Sequence, residues 1–78
     1  MREKQTVLAV TFYTTASAMA TEKVCAAAGI PGRLAPVPRR LSAECGVAFL
    51  TDVSQEAALR AALIDAGIEF EGIFVTEF

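Results

Sequence analysis

Cys25 and Cys45 are the strongest nucleophiles in this sequence, and there is no histidine to serve either of them as a base. A cysteine reacts as its thiolate, so its neighbours decide whether it acts. Cys45 ends a polar stretch that carries Arg39, Arg40 and Ser42, and Gly46 follows it. The arginines favour a thiolate, and a glycine lets another backbone or a ligand come close. Glu44, next to Cys45, opposes ionisation. On spacing alone Cys45 is either a presented nucleophile or one more small buried hydrophobe, free cysteine being among the most buried residue types. Cys25 reads as packing, because it falls at helical spacing with Ala18, Thr21, Glu22 and Ala28 and stands beside Val24. Arg33, Arg39 and Arg40 crowd three of the seven basic residues into one stretch. They either hold an anion beside the thiol or are simply solvated. Ser42, Thr14 and Thr15 are hydroxyls that could bond such an anion, although capping alone explains Thr14 and Thr15 at a helix start. Glu69 and Glu71 flank Phe70 and read as a solvent-facing row of the last strand, not as a catalytic carboxylate pair.

Several chemistries are excluded by what is missing. Two cysteines without histidine cannot complete a tetrahedral zinc site, and their long spacing is no disulfide framework. A Cys-x-x-Cys loop of the metal-chaperone kind is absent. A net charge of −2, without paired strand aromatics in a basic background, argues against nucleic acid as a partner. The sequence has no asparagine for a phosphatase that uses Arg and Asn, and no base for Cys45, so a stand-alone hydrolase is disfavoured. The residues call for no metal and no cofactor.

The elements that position these residues follow from the hydrophobic pattern. With 78 residues there is one domain, 1–78, with a thin core, and Met1–Gln5 reads as a frayed, charged start. The apolar run after it is too short and interrupted for a signal peptide or a membrane span, so a cytoplasmic protein without a membrane partner is expected. Thr6–Tyr13 is β-branched and aromatic and reads as a central strand. Thr14, Thr15 or Ser17 caps a helix to about Ala28, stopped by Gly29. Gly32–Val37 carries Pro36 and reads as an edge strand, and Val47–Thr51 as a central one. A second helix starts at Ser54, uses Leu59, Ala62, Leu63 and Ala66 as its apolar stripe, and stops at Gly67. Ile68–Phe78 reads as the last strand.

Ala28-Gly29-Ile30 recurs as Ala66-Gly67-Ile68, and the same offset lays the first strand on the third. Two βαβ halves with right-handed crossovers give an α/β (α+β) fold, the ferredoxin-like split βαβ sandwich. It has βαββαβ order and a four-stranded antiparallel sheet, 4-1-3-2, with two helices on one face. In that topology Cys45 shares an end of the sheet with Thr14, Thr15 and Ser17. The first helix aims its N-terminal amides there, and the second brings its negative C-terminal end to the same side. Cys25 lies roughly 13 Å down the first helix. A Cys25–Cys45 disulfide is therefore out of reach.

Pro36-Val37-Pro38-Arg39, Leu41-Ser42 and Cys45-Gly46 together form a PVPR-x-LS-x-x-CG block. With Val10-Thr11-Phe12, Glu22-Lys23, Ala28-Gly29-Ile30-Pro31, Ala66-Gly67-Ile68 and Glu71-Gly72-Ile73, this block resembles a family of small bacterial and archaeal proteins described as selenium/sulfur carrier protein-like. The resemblance covers nearly the whole chain. It implies that Cys45 carries sulfane sulfur or selenium as a persulfide or selenopersulfide, and that the protein is a carrier more than a stand-alone enzyme. The donor would resemble a cysteine desulfurase, and the acceptor would make selenophosphate or a sulfur-containing cofactor. Arg39, Ser42, Gly46, Thr14 and Thr15 would bind the transferred group or an anion. Cys25 stands where relatives usually have an aliphatic residue, which supports packing. Arg40 and Glu44 depart from the motif, so the electrostatic argument rests mainly on Arg39. The alternative is a non-catalytic anion-binding or interaction module that works through Arg33, Arg39 and Arg40. Phe70, Phe74 and Phe78 on one alternation of the last strand, with Ile73 and Val75 on the other, point to a homodimer through that strand or the open sheet face.

Overall fold

The computed structural model describes residues 5–37 and 45–77. Six elements carry the fold: β1 (Thr6–Thr11), α1 (Thr15–Ala28), β2 (Arg33–Pro36), β3 (Val47–Thr51), α2 (Glu56–Ala66) and β4 (Gly72–Glu77). The sheet order is β2-β3-β1-β4 and every neighbouring pair is antiparallel. This is the ferredoxin-like arrangement expected from the repeat.

Each helix starts and stops for a local reason. Thr14 is extended at φ −135° and ψ 153°, and its side chain accepts a hydrogen bond from the Ser17 amide, so it is the cap among the hydroxyls available. Asp52 accepts from the Ser54 amide and opens a short 3₁₀ turn, Val53–Gln55, that leads into α2. The α-helix therefore begins at Glu56, later than the Ser54 start expected, because the capped turn comes first. The Ala-Gly-Ile repeat turns out to be one cap used twice. Gly29 and Gly67 are left-handed at φ 76° and 67°. Ile30 and Ile68 donate their amides back to Cys25 and Leu63 at 2.9 and 3.0 Å.

The helices cover one face of the sheet. Leu8, Val10 and Phe12 of the β1 segment and Phe49 of β3 meet Ala18, Cys25, Leu59 and Leu63 in the main core. The buried stripe of α1 is Ala18, Thr21 and Cys25; Glu22 and Ala28, expected on the same face, are exposed. Thr21 tolerates burial because its hydroxyl donates to the Ser17 carbonyl at 2.9 Å. On α2 the stripe narrows to Leu59 and Leu63, with Ala62 half-buried and Ala66 exposed.

A second, thinner cluster of Ala9, Ala35, Ala48 and Leu50 lies on the other face, with Val7, Val37 and Phe74 packed against it. Its four buried members are at most 4% exposed in a single chain.

β4 is shorter than the strand expected from Ile68 onward. Ile68 and Phe70 do pack on the main core. They do so from a connection, since Ile68 spends its amide on the α2 cap and Glu71 donates to the Thr11 carbonyl just before the ladder begins. Glu69 and Glu71 are thus not a row on a strand. Glu69 is exposed and Glu71 is half-buried.

Candidate functional site

Cys45 stands at the entry of β3, at the base of the β2–β3 hairpin. The Val37 amide donates to the Gly46 carbonyl at 3.0 Å, beyond the last ladder pair Pro36–Val47. Gly46 has φ 73°, and a Cβ built on it would meet nothing within 4 Å. The glycine is therefore required by the left-handed turn, not by the close approach of another group. That turn sets the direction in which the chain presents Cys45 to β3.

The thiol of Cys45 is half-buried and packs against the margin of the main core beside Val47. It donates to the Val47 carbonyl at 3.2 Å. An ionised sulfur has no proton to give that oxygen, so attack needs the side chain to turn away from it. Cys25, by contrast, is 1% exposed, and burial pushes its thiol above the usual range. Both cysteines are free.

The ladder brings several features to the Cys45 end of the sheet. Thr11 pairs with Ala48 of β3 and with Gly72 of β4. The exit of β1 toward Thr14, the entry of β3 and the entry of β4 are therefore neighbours. α1 begins at this end with no acidic residue in its first turn, and α2 finishes here with no basic residue in its last. One helix offers partial positive charge and the other partial negative charge, neither neutralised by its own side chains. The Thr14 hydroxyl is engaged in the cap, accepting from the Ser17 amide and donating to the Ser17 hydroxyl, both at 3.1 Å. Thr15, the first residue of α1, is exposed. Arg39 and Ser42 lie outside the described residues, as do Arg40 and Glu44.

Arg33 opens β2 at its other end, about 13 Å along the strand from Val37 at roughly 3.3 Å per residue. There it borders an open cleft of about 540 Å³ with Gln5, Thr6, Val7, Leu50 and Asp52. It is thus set apart from the point where the chain enters 38–44.

Glu71 was missed as more than surface. Its Oε1 is buried and has no hydrogen-bond partner among the described residues, while its amide donates to the Thr11 carbonyl at 2.6 Å. The signal was its alternation with Ile73, which faces the main core.

The model of the family described as "Putative Se/S carrier protein-like" matches residues 8–75, which take in both helices, β2, β3, most of β1 and β4, and the Cys45-Gly46 pair. The chain belongs to this family. No curated protein and no solved structure matches it. In this Se/S carrier-like chain the structure separates the two thiols by role in the fold, Cys25 within the core and Cys45 at its rim. Among the described residues no helix is long and apolar enough to cross a membrane.

Proposed function

We propose that this protein carries sulfane sulfur or selenium on Cys45, as a persulfide or selenopersulfide, between two enzymes in the cytoplasm. The observation that carries this reading is the position of Cys45: a free, half-exposed thiol at the mouth of β3 in a chain of the Se/S carrier-like family.

Carrier chemistry needs one thiolate and an accessible approach. The Cys45 thiolate attacks the terminal sulfur of a donor persulfide, R–S–SH. A new S–S bond forms on Cys45, the donor's S–S bond breaks, and R–S⁻ leaves, with the proton staying on the transferred sulfur. Delivery repeats the exchange, with a nucleophile on the acceptor attacking the terminal atom and Cys45 leaving as thiolate. No net oxidation occurs, and selenium follows the same course. A cysteine desulfurase-like enzyme fits the donor role, and an enzyme forming selenophosphate or a sulfur cofactor fits the acceptor role. Neither step asks for a histidine base, which the sequence lacks. Arg39 and Ser42, near Cys45 in sequence, and the amides at the start of α1 would steady the anionic sulfur.

Intact mass after incubation with a cysteine desulfurase and cysteine tests the proposal. The wild-type protein should gain sulfur and Cys45→Ser should gain none. An unmodified wild type, or equal gain on both, defeats the carrier reading.

A further inference from the structure

The two edges of the sheet differ. The outer edge of β2 is four residues long and includes Pro36, which has no amide hydrogen to offer a new strand. The outer edge of β4 is six residues long, without proline, and among the described residues no strand pairs with it. Val75 in its middle is 53% exposed, a large apolar side chain left in water beside unpaired backbone groups.

Charge says what could lie there. Half-buried Glu71, at the entry of β4, has one carboxylate oxygen, Oε1, buried without a hydrogen-bond partner among the described residues, which a cation reaching the other oxygen would offset. Glu69 is exposed two residues before it and Glu77 is exposed at the far end of β4, roughly 20 Å along at about 3.4 Å per residue, and the ion pair seen among the described residues, Arg60 with Glu56, involves none of the three. β4 itself, Gly72–Glu77, has neither lysine nor arginine. A second copy adding its own β4 would bring Glu71 no cation and would add glutamates to glutamates.

We propose that the outer edge of β4 docks an extended, basic segment of a partner protein as a fifth strand, with a lysine or arginine of that segment paired to Glu71. Backbone hydrogen bonds to β4 would give affinity, Val75 would give apolar contact, and the glutamates would set charge preference. If Cys45 is a carrier thiol, the partner is its donor or acceptor. The docked strand would lie three strand spacings from β3, across β4 and β1, about 14 Å from the Cys45 strand at roughly 4.8 Å per spacing. A reactive sulfur on a short loop of the partner spans that gap.

The probe is a synthetic extended peptide of alternating valine and threonine with lysine at both ends, compared with a glutamate-ended version. Binding to the full chain is measured by calorimetry, and amide hydrogen exchange shows where it binds. The lysine-ended peptide should bind, protect alternate amides of β4, and weaken with added salt. Glu71→Gln should lower its affinity about tenfold, in line with loss of a charge-assisted bond. Val75→Lys should lower it further by repelling the peptide. Equal binding of both peptides, protection elsewhere than β4, or indifference to both substitutions overturns the proposal. So does a wild type that sediments as two chains with its β4 amides already protected. In parallel, Cys45 is loaded with inorganic polysulfide and weighed. Both substitutions should leave this loading intact, and a wild type that loads but does not bind the lysine-ended peptide refutes the docking site alone. Docking without loading refutes the carrier reading alone.

Discussion

Cys25 sits on the buried stripe of α1 between Thr21 and the Gly29 cap, whereas Cys45 sits at the entry of β3 with core on one side only. The side chain is the same; the element differs. A residue in the middle of a packed helix is enclosed by both the sheet and its own helix. A residue at a strand mouth has packing behind it and a turn in front. The comparison teaches that placement in the fold, more than local charge, separates a structural thiol from an available one.

The sharpest way to break this comparison is alkylation of the native protein with iodoacetamide, read by peptide mass. Cys45 should react at the rate of a partly exposed thiol. Cys25 should wait for an opening of α1; a local opening cost of about 3 kcal/mol slows it by on the order of a hundredfold. Comparable rates at the two sites would show that α1 does not protect Cys25.

Stability gives the second contrast. Leu63, fully buried in the same main core as Cys25, should cost about 2–5 kcal/mol on truncation to alanine, through the lost transfer energy and the cavity left behind. Cys45→Ser should change stability by less than about 1 kcal/mol, since it swaps a weak S–H donor for a hydroxyl able to serve the same carbonyl at the rim of that core. Denaturant unfolding of the two variants checks the difference. A large loss at Cys45 would make it a packing residue after all.

Much of this arrangement was readable in the residues. The Ala-Gly-Ile repeat announced two helices of matched design because a left-handed glycine is the cheapest way to end a helix, and the repeat then fixed the topology. The edge role of β2 was visible in Pro36. The entry of β4 was not, because the apolar residues Ile68 and Phe70 pack on the core from a connection whose amide hydrogen bonds go to a cap, and alternation alone cannot distinguish that from a ladder. The pairing of Cys45 with Gly46 marked the site, but the reason for the glycine is a backbone angle that no side-chain pattern displays. Glu71 looked like surface charge because its burial depends on a turn set by the Thr11 carbonyl.

The smallest expected effect lies at the other end of β3, where Asp52 follows the strand as Cys45 precedes it. Hydrogen bonds from the Ser54 hydroxyl, and then from its amide, hold the Asp52 carboxyl below the usual carboxylate range. A carboxyl whose folded value is depressed stabilises the fold above its unfolded value and loses that contribution as pH falls through the folded one. Asp52→Ala should therefore lower the thermal midpoint near neutral pH, by less than Leu63→Ala does. The gap between wild type and variant should close as the solution is acidified below the usual carboxylate range. Asp52→Asn should lower the midpoint less than Asp52→Ala near neutrality, because asparagine caps a helix start about as well as aspartate. The alkylation rate of Cys45 should stay unchanged in all three proteins, since the two ends of β3 are held by separate devices, a side-chain cap at one and a glycine turn at the other. A shift in that rate on Asp52→Ala would mean that the ends of β3 are coupled, and that the availability of Cys45 is a property of the whole strand.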